Sequence, residues 1–442
     1  MLNSDSPNSI YKVRIILWQI FSITFHYNIL VLSQLHWDCL MLVEKYVSYI
    51  SMYEPSWQTA TGELAGGFDE DTITLAIAAA RPIVVAGGKI SSVFLISSNP
   101  IYLDGSSSAS VLTALGLLDC PIYELLGGAD TVLTVVATAS EGALIIAVEN
   151  ETSAFSGAVL IGAGGGLLVK LLGTMTGSLP VVSRRSGQTV SKDYGDARLQ
   201  REIGTVPLVK SLKHFAEQDG ETLTLLAGLN QTYAKKLGIS RELVNSKCAV
   251  GVASSIQALF DCCSLSSLCF VGAIAKSNGA VVSVRPTSRV LNFTTSSKFK
   301  APVLKDRDES KSLPISLAAY SRSFNSKVGH LAKKCLCGAV SFPPKYLCSN
   351  CGGLDQSSFY KLGFSAKIHT LTKIFVDVPG KITPYVIAVV ELNDDVRALV
   401  GVTDYFGQDV KIGMKGELVL RVIAEREGIP DYGYSLKLEE DQ

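Results

Sequence analysis

The sequence predicts an α/β body followed by a small all-β module, and three observations carry that reading. Short apolar β-branched runs alternate with Ala-rich helical stretches from Met41 to about Phe293. Four of the ten cysteines (Cys335, Cys337, Cys348, Cys351) crowd into seventeen residues. Behind them, short alternating strands are separated by turn residues as far as Leu438. Strands alternating with helices argue for a largely parallel sheet covered on both faces, and the later strands for a small closed barrel.

At 442 residues the chain is too long for one ordinary core, so two or three domains are expected. Forty basic residues balance forty acidic ones, which leaves no electrostatic footprint for nucleic acid or an anionic membrane. Apolar residues make up 47% and charged residues 18%, a balance that fits doubly covered sheets. Residues 1–40 read as an uncertain N-terminal extension. Tyr11–Val43 is mostly apolar, with Lys12 and Arg14 ahead of Ile15–Phe25, in the manner of a signal peptide or anchor. His26, Asn28, Gln34, His36 and Asp38 interrupt the run and no small-residue cleavage site follows, which favours an over-extended start and no membrane. The remaining cysteines (Cys39, Cys120, Cys248, Cys262, Cys263, Cys269) form no disulfide framework, so a reducing, cytoplasmic location is expected.

Within the body, 41–293, Asp69-Glu70-Asp71-Thr72 precedes Ile73–Arg81, a capped run of good helix formers expected to stop at Pro82. Ser92–Ile96 reads as a buried strand, Ser107–Leu117 and Thr131–Ala139 as helices, and Ala143–Val148 and Gly157–Ile161 as strands. A second set follows: helix Val209–Gln218, strand Thr222–Leu226, helices Gln231–Leu237 and Ser254–Phe260, then strands Cys269–Ile274 and Ala280–Val284. Residues 294–329 change character, with Ser and Lys runs, Asp306-Arg307-Asp308-Glu309, Pro302 and Pro314. They read as a linker with a short helix near Ser316–Ser321.

The segment 330–356 carries the clearest chemistry. Cys335-Leu336-Cys337-Gly338 and Cys348-Ser349-Asn350-Cys351-Gly352 bracket ten residues that include Phe342-Pro343-Pro344. Four thiolates at this spacing suit tetrahedral zinc, and a glycine after each pair lets the backbone turn its N–H groups toward sulfur. The first pair is one residue shorter than the usual C-x₂-C, so Cys335 or His330 could supply the first ligand. A closed four-ligand site is structural, contributing ~10 kcal/mol or more to folding. In 357–438, strands Gly363–Thr372, Tyr385–Leu392, Val396–Val402 and Glu417–Val422 are separated by Pro379-Gly380, Asn393-Asp394 and Lys411-Ile412-Gly413. This reads as an OB-type barrel. It has neither a basic surplus nor exposed-looking aromatics in strand pairs, so nucleic acid is not expected as its ligand.

Two sets of motifs resemble known families. Cys337-Gly338-Ala339-Val340-Ser341-Phe342-Pro343-Pro344, Cys348-Ser349-Asn350-Cys351-Gly352, Pro384–Leu392, Asp409–Met414 and Tyr432-Gly433-Tyr434 resemble the zinc-ribbon OB-fold proteins that accompany thiolases in archaea and bacteria. Gly67–Thr72 with Ala79-Ala80-Arg81, Ile90–Leu95 with Ser97-Ser98-Asn99-Pro100, Gly157–Gly162 and Tyr233–Gly238 resemble the thiolase superfamily. Within it, the likeness is to the archaeal type of 3-hydroxy-3-methylglutaryl-CoA synthase. The resemblance implies a thiolase-like layered αβαβα body followed by a zinc ribbon and an OB barrel. It also implies acyl-CoA as a ligand, and a thiolase-fold or synthase subunit as partner in a homo- or hetero-oligomer.

That chemistry needs a cysteine nucleophile at a helix N-terminus, a histidine and a glutamate. Aligned on the motifs, the cysteine position falls at Gly127, the histidine position near Ala227 and the glutamate position at Ser98, so no catalytic residue is assigned. An active acyltransferase with displaced catalytic residues is the alternative, as is a barrel with no CoA connection. Cys248, with Lys247 beside it, could substitute as a thiolate, although lone cysteines are usually inert. Cys120 reads as a residue of the preceding loop or strand and His214 as a surface residue. Gly162–Gly166 lacks the Lys-Ser/Thr of a phosphate loop.

Overall fold

A computed structural model describes residues 44–439, apart from 103–104, 151–152, 178–181, 184–191, 194–195, 219, 241–250, 266, 297–300, 303–315, 355–356, 377–382, 393–395, 407 and 427–428. The N-terminal extension, Cys39, Cys248, the Pro379-Gly380 and Asn393-Asp394 turns and the charged run of the linker lie outside the described residues.

The body is a layered α/β fold. Its strands follow one hydrogen-bonded path: Leu225–Ala227, Cys269–Ala275, Asn278–Pro286, Leu167–Thr176, Glu44–Tyr53, Ala154–Gly162, Ala143–Asn150, Ser92–Ser97 and Ile122–Leu126, with Leu291–Thr295 also pairing Glu44–Tyr53. The two halves of this path face each other across a central helix layer. Helix Thr72–Val85 packs outside the first half, helices Ala129–Thr138 and Ser254–Cys262 lie between the halves, and helix Thr205–Gln218 covers the second. This gives the αβαβα order. Ile73, Ile77 and Ile83 of the outer helix are fully buried, and each stabilises by about 1.5–3 kcal/mol.

Three sequence expectations change. The sheet is mixed rather than largely parallel. Ala143–Asn150 turns directly into Ala154–Gly162, and Cys269–Ala275 into Asn278–Pro286, and connections this short allow only antiparallel pairing. The first helix does not stop at Pro82 but continues to Val85, where Ala86 N–H donates to the Pro82 carbonyl at 3.0 Å. Its start is as expected, with Asp71 Oδ1 accepting from Thr74 N at 2.9 Å. In the stretch read as a linker, the helix is longer than expected, Leu317–Lys327.

The C-terminal strands Ser365–Ile374, Tyr385–Glu391, Arg397–Thr403, Lys415–Arg426 and Ile429–Leu438 close into a barrel in the order first, second, third, fifth, fourth. The third and fifth pair in parallel, the arrangement of an OB barrel. Phe375, just past the first barrel strand, is an exposed aromatic the sequence reading did not anticipate. Among the described residues, no helix is long and apolar enough to cross a membrane.

Candidate functional site

The four sequence-predicted cysteines come together. Strand Leu331–Cys335 ends at the first, and Cys337 follows in the turn before Val340–Ser341. Cys348 and Cys351 sit in a second turn closed by pairing of Leu347 with Leu354. Gly338 and Gly352 take φ of 89° and 70°, a conformation that glycine adopts without penalty, as their spacing predicted. All four sulfur atoms lie within 4.8 Å of one another. Cys335 and Cys351 are 3.7 Å apart, as are Cys337 and Cys348. Tetrahedral zinc with bonds of about 2.3 Å places its sulfurs about 3.8 Å apart, so the cluster has the dimensions of such a site. The Ala339 backbone N–H and the Asn350 side chain draw the Cys337 thiol down to about 6. Backbone N–H groups of Cys351 and Asn350 lower Cys348 in the same way. Two of the four thiols are thus drawn toward ionisation, while Cys335, hydrogen-bonded with the other three sulfurs, is pushed up to about 12.

His330 is not part of this cluster. It is buried against Phe364, Tyr434 and Phe342, and burial, followed by the charge of Arg81, pushes its imidazole down to about 4.

The positions aligned with thiolase chemistry also converge. A cleft of about 410 Å³ is lined by Ser98, Gly127, Gly128, Asp130, Thr131, Glu149, Gly228 and Lys276, among others, and Ala227 is buried next to Gly228. Edge strand Ile122–Leu126 leads into Gly127, and helix Ala129–Thr138 starts just beyond it. A Cβ on Gly127 would meet Thr131 Oγ1 at 2.5 Å, so the Thr131 side chain fills the space a cysteine there would need. A Cβ on Gly228 would lie 1.9 Å from the Ile274 carbonyl oxygen. At Gly251, the Glu149 carboxylate occupies that space at 2.1 Å. The body cysteines that are described are not activated: burial raises the thiols of Cys120, Cys262 and Cys269 and pushes Cys263 to about 11. Cys120 lies in the loop before the edge strand, and His214 is exposed on its helix.

A third constellation was missed by sequence reasoning. Arg421, on a barrel strand, is 1% exposed and contacts Glu70 Oε1 at 3.1 Å, Asp404 Oδ2 at 3.2 Å and Asp69 Oδ1 at 3.6 Å. Tyr53 donates to Glu70, Thr403 to Asp69 at 2.8 Å and Trp57 Nε1 to Asp404 at 3.0 Å. Lys437 lies 3.5 Å from Asp404. Body and barrel are therefore joined by a buried ionic cluster. The available signal was Arg421 itself, a charge inside the apolar run Leu418-Val419-Leu420-Arg421-Val422.

No family model matches the chain. Curated relatives do. A DUF35 domain-containing scaffold protein of Methanocaldococcus jannaschii is 35% identical over 105 residues, 23% of this chain and 74% of the relative. One from Pyrococcus furiosus is 31% identical over 130 residues, 28% of this chain and 93% of the relative. Among solved structures, 3-oxoacyl-[acyl-carrier-protein] synthase III from Aquifex aeolicus covers 55% of this chain and 99% of its own at 14% identity, with a TM-score of 0.43. An HMG-CoA synthase from Bacillus subtilus covers 56% and 80% at 14% identity, with a TM-score of 0.42. On the identity and coverage of these curated relatives, the chain belongs to the family of DUF35 domain-containing scaffold proteins.

Proposed function

We propose that this protein is a non-catalytic, acyl-CoA-associated scaffold subunit that partners an active thiolase- or hydroxymethylglutaryl-CoA synthase-type enzyme in the cytoplasm. The observation that carries the reading is the cleft at Gly127. The positions that the resemblance assigns to cysteine and glutamate line it as Gly127 and Ser98, the histidine position is the buried Ala227 beside its Gly228, and Thr131 occupies the space next to Gly127. A body that keeps its layers but carries no aligned nucleophile is suited to holding a partner rather than to turnover. The relatives' description as scaffold proteins supports the same role. The four cysteines hold one structural zinc that stiffens the ribbon against the barrel.

The edge strand Ile122–Leu126 supplies the docking surface. It ends one side of the sheet, and Tyr123 and Leu126 are exposed on it. An open edge with apolar side chains pairs readily with a second strand. Co-expression with a thiolase or synthase encoded beside its gene, followed by light scattering, tests the proposal. The expected result is a hetero-oligomer that Leu126→Lys disrupts. A monomer with and without the neighbour, or an acyl-enzyme on any cysteine after incubation with acetyl-CoA, would overturn it.

A further inference from the structure

A second cavity, of about 370 Å³, opens in the seam between body and barrel and shares no lining residue with the cleft at Gly127. Its volume falls in the range of small-molecule sites, about 300–1,000 Å³. Its wall is mainly apolar: Ala78, Pro82 and Val85 from the outer helix, Phe293 from the body's last strand and Val419 from the barrel.

The charge in this wall is uneven. Arg421 lines it, but Glu70, Asp404 and Asp69 already surround that guanidinium. Arg81 also lines it, and among the described residues no carboxylate forms an ion pair with it. Its Nη1 donates to the Leu418 carbonyl at 3.2 Å and its Nη2 to Tyr434 OH at 3.1 Å. One face lies 4.1 Å over the Phe364 ring, and its buried Nε has no partner. The positive charge is felt nearby: Lys361 is lowered by burial and then by Arg81. Glu417, exposed, is the carboxylate of the wall. An apolar slot with a fixed, uncompensated guanidinium favours a ligand with one carboxylate and a hydrocarbon tail, since the guanidinium fork matches carboxylate geometry.

We propose that the seam binds a medium-chain carboxylate, its head on Arg81 and its tail along Ala78, Pro82, Val85, Phe293 and Val419. The site is independent of any acyl-CoA bound by a partner, and its occupant bridges body and barrel.

The test is calorimetric titration of the full-length protein with octanoate, with octanol and octylamine as neutral and cationic probes of equal length. One octanoate per chain is expected, with octanol weaker by about tenfold or more and octylamine silent. Arg81→Met is expected to lower octanoate affinity by about tenfold or more. Because Arg81 also holds Leu418 and Tyr434, a second variant, Ala78→Phe, fills the slot while keeping the guanidinium. It is expected to abolish binding with thermal unfolding unchanged. No octanoate binding at millimolar concentration, equal binding of octanol, or full binding by Ala78→Phe would each overturn the proposal.

Discussion

Arg421 of the barrel lies 3.1 Å from Glu70 of the body, and both side chains are 1% exposed. The contact joins residues 351 positions apart in sequence, counting from 70 to 421. Around it, three carboxylates (Asp69, Glu70, Asp404) face two cations (Arg421, Lys437), and the hydroxyls of Tyr53 and Thr403 and the indole of Trp57 donate to Glu70, Asp69 and Asp404 in turn. A buried ion pair gains little over an apolar replacement, but breaking one leaves an uncompensated charge. The cluster therefore sets how the barrel seats on the body more than how stable the whole is.

Arg421→Met is expected to destabilise the protein by about 3–5 kcal/mol, because it strands Asp69 and Glu70 and leaves Asp404 with Lys437 alone. Glu70→Gln should cost less, since Arg421 keeps Asp404 and Asp69. Urea unfolding of both variants checks the order. Equal, sub-kcal effects would show the cluster to be incidental.

Stability should fall as pH rises from about 4 to about 6, and Asp69 is the reason. Burial raises its carboxyl from 3.8 to about 6, with Arg421 opposing and Asp404 and Glu70 adding to the rise. The folded chain thus holds this proton more tightly than the unfolded chain. Its stabilising contribution is complete below about pH 4 and lost as pH climbs through about 6. Asp404, buried but held below its ordinary range by Arg421 and Lys437, acts in the opposite sense and loses its contribution in acid. The urea midpoint should drop between about pH 4 and pH 6.5, and Asp69→Asn should remove most of that drop. A variant with the same pH slope as the parent would refute the assignment.

One zinc per chain is expected on elemental analysis, bound through Cys335, Cys337, Cys348 and Cys351. Cys348→Ser should abolish stoichiometric metal, and chelation should unfold the ribbon, since such a site contributes ~10 kcal/mol or more. His330→Ala should leave metal content unchanged, because His330 packs among Phe364, Tyr434 and Phe342 instead. Metal content well under half an equivalent in the parent protein would contradict the site.

Gly127→Cys alone should not create an acyl-enzyme. The new Cβ would meet Thr131 at 2.5 Å, and among the described residues no histidine lines the cleft. Mass spectrometry after incubation with acetyl-CoA should show no acetyl adduct at residue 127. An adduct would mean that the cleft retains more of the chemistry than its lining suggests.

Much was legible in the sequence because it was local. The cysteine spacing, the glycines after each pair, the Asp71 cap and the alternating barrel strands each depend on a few neighbouring residues, and each stands in the structure. The final strand Ile429–Leu438 and the central strand Glu44–Tyr53 were not read as strands. The first carries Pro430, Asp431 and Gly433 in its run, and the second adjoins the apolar N-terminal stretch that hid its start.

By itself, the sequence determined the class of each part: a layered α/β body, a four-cysteine knuckle and a barrel of short strands. Periodicity and ligand spacing are written in consecutive residues. Only the tertiary structure decided that Cys335 rather than His330 joins the other three sulfurs, because a φ of 53° at His330 and its aromatic neighbours belong to the packed junction. Likewise, only the fold brought Ser98, Gly127 and Gly228 to one cleft, and Asp69, Glu70, Asp404 and Arg421 to one buried cluster. These contacts span tens to hundreds of residues, and in the sequence Asp69 and Glu70 read as helix-capping acids. Their role follows from burial opposite a guanidinium, which depends on the packing of distant strands.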